Sequence, residues 1–222
     1  MKGMREFPDR KAKIAKRYDK WSTIYDKFDA KAPLLGRYGA KWRIMAVREL
    51  KGCKGTVLDM GCGTGKMLLL MAKECPSATV IGVDISEKMV NIASEKAKKS
   101  EYRDRIIVKV MDCTSMDFDD ESIDCAFASY TFTSATDPEK IVVELSRVLK
   151  RGGRVVILDW GRPICGPMII LYPLLGAIAY LFGYTRISIN VKSLFDACEK
   201  FRLVKEIRFF GSMGYILVYS KV

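Results

Sequence analysis

Histidine is absent from the 222-residue sequence, which removes the side chain that most often acts as a general base and a common zinc ligand. Cysteine is present but never as a Cys-x-x-Cys pair; the seven cysteines are residues 53, 62, 75, 113, 125, 165 and 198. We therefore expect no metal site. Since no signal peptide is expected either, the cysteines are predicted to be reduced thiols in a cytoplasmic protein.

Negative charge is scarce at the start of the chain. Residues 1–54 contain 16 Lys/Arg and 6 Asp/Glu, so they carry +10 of the total charge of +12. Four aromatic residues at helical spacing, Tyr18, Trp21, Tyr25 and Phe28, predict an apolar seam. We expect residues 1–54 to form a basic helical cap. It is either a cap with a solvated basic face, or a lid over a ligand that also contacts an anionic lipid surface or nucleic acid.

Charge is also absent from the 22 residues 163–184, which include three prolines and three glycines. A run of this length could span a bilayer, which takes roughly 20 apolar residues. The residues after it, however, read as the end of the same sheet. We expect residues 163–189 to be an insertion. It is a spanning or re-entrant segment, a piece of core, or an apolar wall for a lipophilic substrate that dips into the membrane surface.

The most informative stretch runs from Val57 to Gly65, where apolar residues lead into Asp59, Gly61, Gly63, Thr64 and Gly65. A helix-like run follows, so the pattern predicts a strand, a glycine turn and a helix. It departs from the dinucleotide fingerprint because the third glycine arrives one residue early and an acid precedes the first glycine. A carboxylate there would repel a pyrophosphate and attract an ammonium group.

Polar residues also follow four further predicted strands. Asp84 lies 19 residues beyond Gly65, and the other strands run into Asp112-Cys113, Ser129-Tyr130 and Asp159-Trp160. Considered alone, Asp84 could be a neighbour of a helix cap, and Asp112 could be a solvated acid in a loop. Together they lie where ligands bind in open α/β sheets.

The Asp-x-Gly-x-Gly-x-Gly pattern resembles motif I of the class I S-adenosylmethionine (SAM)-dependent methyltransferases. The chain most closely resembles the ubiquinone/menaquinone C-methyltransferase family, through Tyr18-Asp19 and Tyr25-Asp26, Val83 to Ser86, and Arg147 to Arg154. This resemblance implies an α/β, Rossmann-like, doubly wound sheet of seven strands with an antiparallel C-terminal strand and helices on both faces. Residues 55–162 would form the SAM-binding core, and residues 190–222 its closing helix and strand pair.

The resemblance also implies a cofactor site. Carried over by position, it falls on Thr64, Asp84, Asp112, Cys113 and Ser129, and the predicted cofactor-binding set also includes Asp59, Gly61, Gly63, Gly65, Ile85 and Met89. Candidates for the substrate pocket are Tyr18, Tyr25, Tyr130 and Arg162. If the acceptor must lose a proton, Tyr130 and Asp159 are the candidate bases. Where the quinone enzymes carry an Arg-Asn pair, this chain has Thr133-Ser134, which puts the quinone substrate in doubt.

The prediction is a SAM-dependent methyltransferase acting on a small, lipophilic acceptor that is quinone-, lipid- or isoprenoid-like. Residues 1–54 and 163–184 are candidates for peripheral membrane contact. A nucleic-acid methyltransferase is the first alternative, but the Asn-Pro-Pro-aromatic motif of the base-methylating enzymes is absent. A SAM-binding module without turnover is the second.

Overall fold

A computed structural model describes residues 11–20, 22, 35–163, 169–170, 172–174 and 189–222. The strands are β1 (Gly55–Met60), β2 (Ala78–Asp84), β3 (Ile106–Val110), β4 (Ile123–Ser129), β5 (Leu149–Trp160), β6 (Phe201–Phe209) and β7 (Gly214–Lys221). The helices are α1 (residues 11–20), α2 (Leu35–Arg48), α3 (Lys66–Glu74), α4 (Glu87–Lys98), α5 (Pro138–Val148) and α6 (Val191–Asp196).

The seven strands form one sheet in the order β3-β2-β1-β4-β5-β7-β6. The first five strands in that order are parallel, and β7 is antiparallel to both β5 and β6. The predicted fold class is therefore confirmed. Strands β2 and β3 are added on one side of β1, and β4 and β5 on the other. Open α/β sheets bind ligands at the carboxyl end of the strand where the order switches in this way.

Apolar residues cover both faces of the sheet. One cluster contains the buried face of α5, with Ile141, Val142 and Leu145, packed on alternate residues of β4 and β5. The other contains residues of α2, α3 and α4 on the opposite face. Helix starts are capped as their sequences predict: Ser86 accepts from the backbone N–H of Met89, and Asp137 accepts from that of Lys140. Each cap contributes about 1 kcal/mol.

Strand β5 begins with an irregular segment. It starts at Leu149, and its register with β4 shifts between Ile123 and Cys125. Glycine is required at position 153 in this segment, because a Cβ there would lie 2.7 Å from the Lys150 carbonyl oxygen. Helix α6 is short and ends at Asp196.

The prediction of reduced thiols is wrong for one pair of cysteines. Cys53, in the turn after α2, forms a disulfide with Cys125 in β4, with their Cα atoms 6.5 Å apart. The pairing joins positions 72 residues apart, so neither spacing nor composition signalled it. Cys62, Cys75, Cys113 and Cys198 are free thiols, and Cys165 lies outside the described residues.

Most of the uncharged stretch 163–184 lies outside the described residues. Residues 169–170 and 172–174 are helical, and Ile169, Ile170 and Leu174 are 52%, 82% and 62% exposed. Within the described parts of the chain, no helix combines the length and the apolar character needed to cross a membrane.

Candidate functional site

The glycine turn after β1 contains three residues in the left-handed region of φ, where glycine is favoured: Gly61 (+69°), Gly63 (+54°) and Gly65 (+79°). A Cβ on Gly61 would lie 2.9 Å from the Thr131 hydroxyl oxygen, and one on Gly65 would lie 2.8 Å from Cβ of Ala93. These two glycines are thus needed for close packing. A Cβ on Gly63 would meet no atom within 4 Å. Gly63 therefore faces open space where a ligand can lie against the main chain.

The N–H groups of these glycines already have partners within the protein. Gly61 donates to the Val83 carbonyl at 2.8 Å, Gly63 to the Asp84 carboxylate at 2.9 Å, and Gly65 to the Cys62 carbonyl at 3.0 Å. The bonds of Gly61 and Gly63 hold the turn against the end of β2, and the bond of Gly65 closes the turn on Cys62.

Asp84 ends β2 and is the organising acid of the site. Its Oδ2 accepts from Gly63, and its Oδ1 accepts from the N–H of Ser86 at 2.9 Å. Burial raises the pKa of Asp84, while the N–H groups of Ser86, Gly63 and Ile85 oppose the rise. Because each carboxylate oxygen can accept a second bond, Asp84 can still receive a pair of hydroxyl groups.

Asp59, near the end of β1, is 1% exposed, and its Oδ2 is buried without a hydrogen-bond partner among the described residues. Burial, and then the charge of Asp84, raise the pKa of Asp59 to about 8. A buried carboxyl oxygen without a partner costs free energy, on the order of 1–3 kcal/mol. A cationic donor would satisfy this oxygen.

Asp112 follows β3 and is already engaged by protein groups. Its Oδ1 accepts from the N–H and hydroxyl of Thr114, and its Oδ2 forms an ion pair with Lys11 of α1 at 2.7 Å. Burial alone would raise the pKa of Asp112, but Lys11 and Thr114 lower it overall. The neighbouring Cys113 is buried, and burial with the nearby acids raises the pKa of its thiol to about 12, so it is a neutral wall residue.

The other predicted cofactor residues lie along the same edge of the sheet. Thr64 and Met89 are buried, and the N–H of Met89 is used by the cap of α4. Ile85 and Ser129 are half-buried, at the ends of β2 and β4. The structure thus places the residues of the predicted cofactor set at the carboxyl ends of β1 to β4, in the turns that follow them and, for Met89, in the first turn of α4.

Helix α1 lies across this edge. Lys11 reaches Asp112 after β3, Asp19 accepts from the Ser86 hydroxyl after β2 at 2.5 Å, and Tyr18 donates to the Ser134 hydroxyl after β4 at 2.8 Å. Since β1 lies between β2 and β4, the helix passes over the glycine turn, the buried Asp59 and the half-buried Asp84. Of the two interpretations of the N-terminal segment, this placement favours the lid.

Asp159, a candidate base, is fully buried and accepts four hydrogen bonds. The donors are the N–H groups of Phe132, Thr133 and Trp160 and the hydroxyl of Thr133, at 2.7–3.2 Å. Burial raises its pKa to about 6, against these donors. Such an acid holds the loop after β4 in place. This arrangement weighs against Asp159 as a base that contacts the acceptor.

Tyr130 has a left-handed backbone, with φ of +58°, which is rare for a residue with a side chain. Its ring stacks on Trp160, with centroids 5.8 Å apart, and the guanidinium of Arg43 lies 5.5 Å from its centroid. The ring is therefore held on the α2 side of the loop. Of the other substrate candidates, Arg162 is exposed, Tyr18 is engaged with Ser134, and Tyr25 lies outside the described residues.

Residues 58–157, which run from β1 into β5, match the family described as "Methyltransferase domain". The ubiquinone/menaquinone biosynthesis C-methyltransferase of Geobacter sulfurreducens is 34% identical over 165 residues, which are 70% of this chain and 64% of that protein. This chain contains a methyltransferase domain, and its sequence resembles the class I SAM-dependent methyltransferases. Their methyl donor, SAM, has an ammonium, a carboxylate and a ribose diol.

Other comparisons agree with this family. The demethylmenaquinone methyltransferase of Bacteroides fragilis is 32% identical over 156 residues, or 70% of this methyltransferase and 63% of that protein. The chain spans between 53% and 66% of the length of the first five quinone C-methyltransferases that it matches. A solved geranyl diphosphate C-methyltransferase from Streptomyces coelicolor shares the fold, with a TM-score of 0.75, 16% identity and coverage of 97% and 99%.

The residues of this methyltransferase fit its cofactor. The unpartnered Oδ2 of Asp59 suits an ammonium, the remaining lone pairs of Asp84 suit a ribose diol, and the open side of Gly63 leaves space against the main chain. The departure from the dinucleotide fingerprint at Asp59 thus has a structural counterpart.

Sequence reasoning missed several residues of the site. Lys11, Arg17 and Asp19 lie on α1, and Thr131 and Thr133 lie in the loop after β4. The spacing of Lys11 and Tyr18, two helical turns apart, places them on one face of α1 and was a usable signal. Nothing in the sequence indicated that Thr131 would donate to the Met60 carbonyl or that Thr133 would contact Asp159.

Proposed function

We propose that this methyltransferase transfers a methyl group from SAM to a small, lipophilic acceptor that is quinone-, lipid- or isoprenoid-like. The observation that carries the proposal is a pair of acids, buried Asp59 with an unpartnered oxygen and half-buried Asp84, beside an open glycine turn and beneath α1. The quinone enzymes among its relatives support a lipophilic acceptor.

SAM supplies an activated methyl group, so the chain's own residues need mainly to bind, orient and exclude water. Orientation of two reactants can contribute roughly 7–11 kcal/mol to catalysis. Asp59 and Asp84 bind at the floor, and α1 covers them through its bonds to the ends of three strands. Asp159 orients the loop that carries Phe132 and Thr133, which keeps this wall of the site rigid.

The acceptor is proposed to lie between the loop after β4 and α1. Tyr18 and Ser134, which form a hydrogen bond to each other, are the polar groups at this position, and Tyr130 continues the wall on the α2 side. Burial raises the pKa of the Tyr18 hydroxyl, although Ser134 and Arg17 oppose this, so Tyr18 is a hydrogen-bond donor at neutral pH. Tyr130 is kept as the candidate base, and Arg162, at the exposed rim, as a candidate for binding an anionic headgroup.

Peripheral membrane contact is a further part of the proposal. Ile169, Ile170 and Leu174 expose more than half of their surface, and apolar residues exposed in this way are typical of interaction surfaces. The net charge of +10 in residues 1–54 would add attraction to anionic lipid. Sedimentation with vesicles of phosphatidylglycerol and phosphatidylcholine tests this: we expect Ile170→Ser to bind less, and the substitution of exposed Val143 by Ser to leave binding unchanged. Equal vesicle binding by the unchanged protein, Ile170→Ser and Val143→Ser would contradict the proposed membrane contact.

The acceptor class is tested by incubating the protein with radiolabelled SAM and separated lipid, small-molecule and RNA fractions. We expect label in the lipid fraction, in short-tailed demethylmenaquinol supplied in reduced form, or in both. Asp84→Asn should abolish the transfer, whereas Asp104→Asn, at a side chain that is 88% exposed, should not. Label in RNA alone would overturn the lipophilic acceptor and favour the nucleic-acid alternative.

A further inference from the structure

Two buried side-chain atoms in the described part of the chain have no hydrogen-bond partner, and one belongs to an acid and the other to a base. One is Oδ2 of Asp59, at the end of β1. The other is Nη2 of Arg17, on α1. An unpaired buried guanidinium N–H is as costly as an unpaired carboxylate oxygen, and native proteins rarely keep either without a reason.

Arg17 is placed over the end of β1 by its two neighbours on α1. Tyr18 is bound to Ser134 after β4, and Asp19 is bound to Ser86 after β2. In the sheet, β1 lies between β4 and β2, and Asp59 is near its end. The guanidinium carbon of Arg17 lies 5.5 Å from the centroid of the Tyr18 ring, so the positive charge of Arg17 lies beside Tyr18.

The surroundings of Arg17 are acidic. In addition to burial, the negative charge of Asp84 raises the pKa of Tyr18 and of Asp59. The charge of Asp19 in turn adds to burial in raising the pKa of Asp84. A ligand carboxylate entering this region would be repelled unless a cation received it. Lys11, at the other end of α1, is already paired with Asp112. Arg17 has a buried N–H group, at Nη2, that can receive such a carboxylate.

We propose that Arg17 binds the carboxylate of the amino-acid end of SAM, while Asp59 receives its ammonium. The two unpartnered atoms, one on the floor and one on the covering helix, then match the two charges of one zwitterion. This inference rests on the proposed function, because it requires SAM as the cofactor. It also gives α1 a specific part in cofactor recognition: the helix completes the site with a charge that the sheet does not provide.

The test compares SAM with decarboxylated SAM, which keeps the ammonium and lacks the carboxylate. Dissociation constants are measured by calorimetry for the full chain, for Arg17→Gln and for Lys16→Gln, a matched change at the exposed neighbouring residue of α1. We expect the unchanged protein to bind decarboxylated SAM about 10- to 100-fold more weakly than SAM, as for the loss of a charge-assisted pair. Arg17→Gln should weaken SAM by a similar factor and leave decarboxylated SAM within about twofold.

Further outcomes decide between this inference and its rivals. Lys16→Gln should retain the preference for SAM, and Arg17→Lys should restore part of it, which also shows that the site folds. If Arg17→Gln weakens both ligands equally, or neither, the proposal is wrong; an unchanged affinity for SAM with slower methyl transfer would assign Arg17 to the acceptor instead. Failure of the unchanged protein to bind SAM would refute the proposed function itself, which is a separate and recognisable result.

Discussion

Replacing Asp59 by Asn tests whether the acid at the end of β1 is a strained, ligand-ready group. Asn has nearly the same shape and no charge, so it removes the titration and keeps the packing. The side chain is buried, and its folded-state pKa is raised from 3.8 to about 8 by burial and by the charge of Asp84. The folded protein therefore holds a proton that the unfolded chain releases.

The sign follows from proton binding. Between pH 3.8 and about 8 the folded state binds more protons at Asp59 than the unfolded state does, so stability falls as the pH rises through this window and levels off above it. A full pKa unit corresponds to about 1.4 kcal/mol, so the raised pKa costs the protein on the order of 4 kcal/mol between pH 5 and pH 8. Asp59→Asn should be spared this loss.

The assay is urea unfolding at several pH values between 5 and 8.5, for the unchanged protein, Asp59→Asn and the exposed control Asp104→Asn. The unchanged protein and Asp59→Asn differ in one titrating group, so the difference between their curves reports the titration of Asp59 and its coupling to Asp84. We expect the free energy of unfolding of Asp59→Asn to rise relative to that of the unchanged protein as the pH increases, while the control runs parallel. If the Asp59→Asn curve also runs parallel, the reasoning about this acid is refuted.

Three further predictions concern the same site and its support. Binding of SAM at pH 7 should release about 0.9 proton, because the ammonium ionises Asp59; calorimetry in buffers of different ionisation enthalpy measures this, and a heat independent of the buffer would contradict it. Gly65→Ala should cost roughly 2–4 kcal/mol of stability, because its Cβ would lie 2.8 Å from Cβ of Ala93. Gly63→Ala should cost only about 1 kcal/mol of stability and should weaken SAM binding instead. Urea unfolding measures the stability losses and calorimetry the binding, and equal stability losses in the two variants would be inconsistent with the turn geometry. Reduction of the Cys53–Cys125 disulfide should lower the Tm by on the order of 10 °C, since the disulfide closes a loop of 72 residues. Thermal scans with and without reductant measure this shift, and Cys53→Ser should show no shift with reductant.

Much of the fold could be predicted because each strand follows a simple pattern. The apolar runs ending at Asp59, Asp84 and Ser129 predicted parallel strands, and parallel strands bring their carboxyl ends to one edge. The residues predicted to bind the cofactor lie at this edge for the same reason, since they follow strands, belong to the glycine turn or lie at the start of α4. Their position is set by local sequence and the order of the sheet.

The rest depends on contacts between distant parts of the chain. The disulfide between Cys53 and Cys125 and the bond from Tyr18 to Ser134 link positions 72 and 116 residues apart, and local patterns carry no information about such distances. Asp159 was taken for a candidate base because it follows a strand, as Asp84 does. Three of its four donors come from the loop after β4, 26 or 27 residues away in the sequence, and only the folded structure shows them.

The most direct test of the central claim is a calorimetric titration of the protein with SAM and, separately, with NAD. We predict micromolar binding of SAM, no binding of NAD, and at least roughly a tenfold loss of SAM affinity in Asp84→Ala, because we propose that this acid receives the ribose hydroxyls. Absence of heat with SAM together with clear binding of NAD would contradict the assignment of this edge of the sheet as a SAM site.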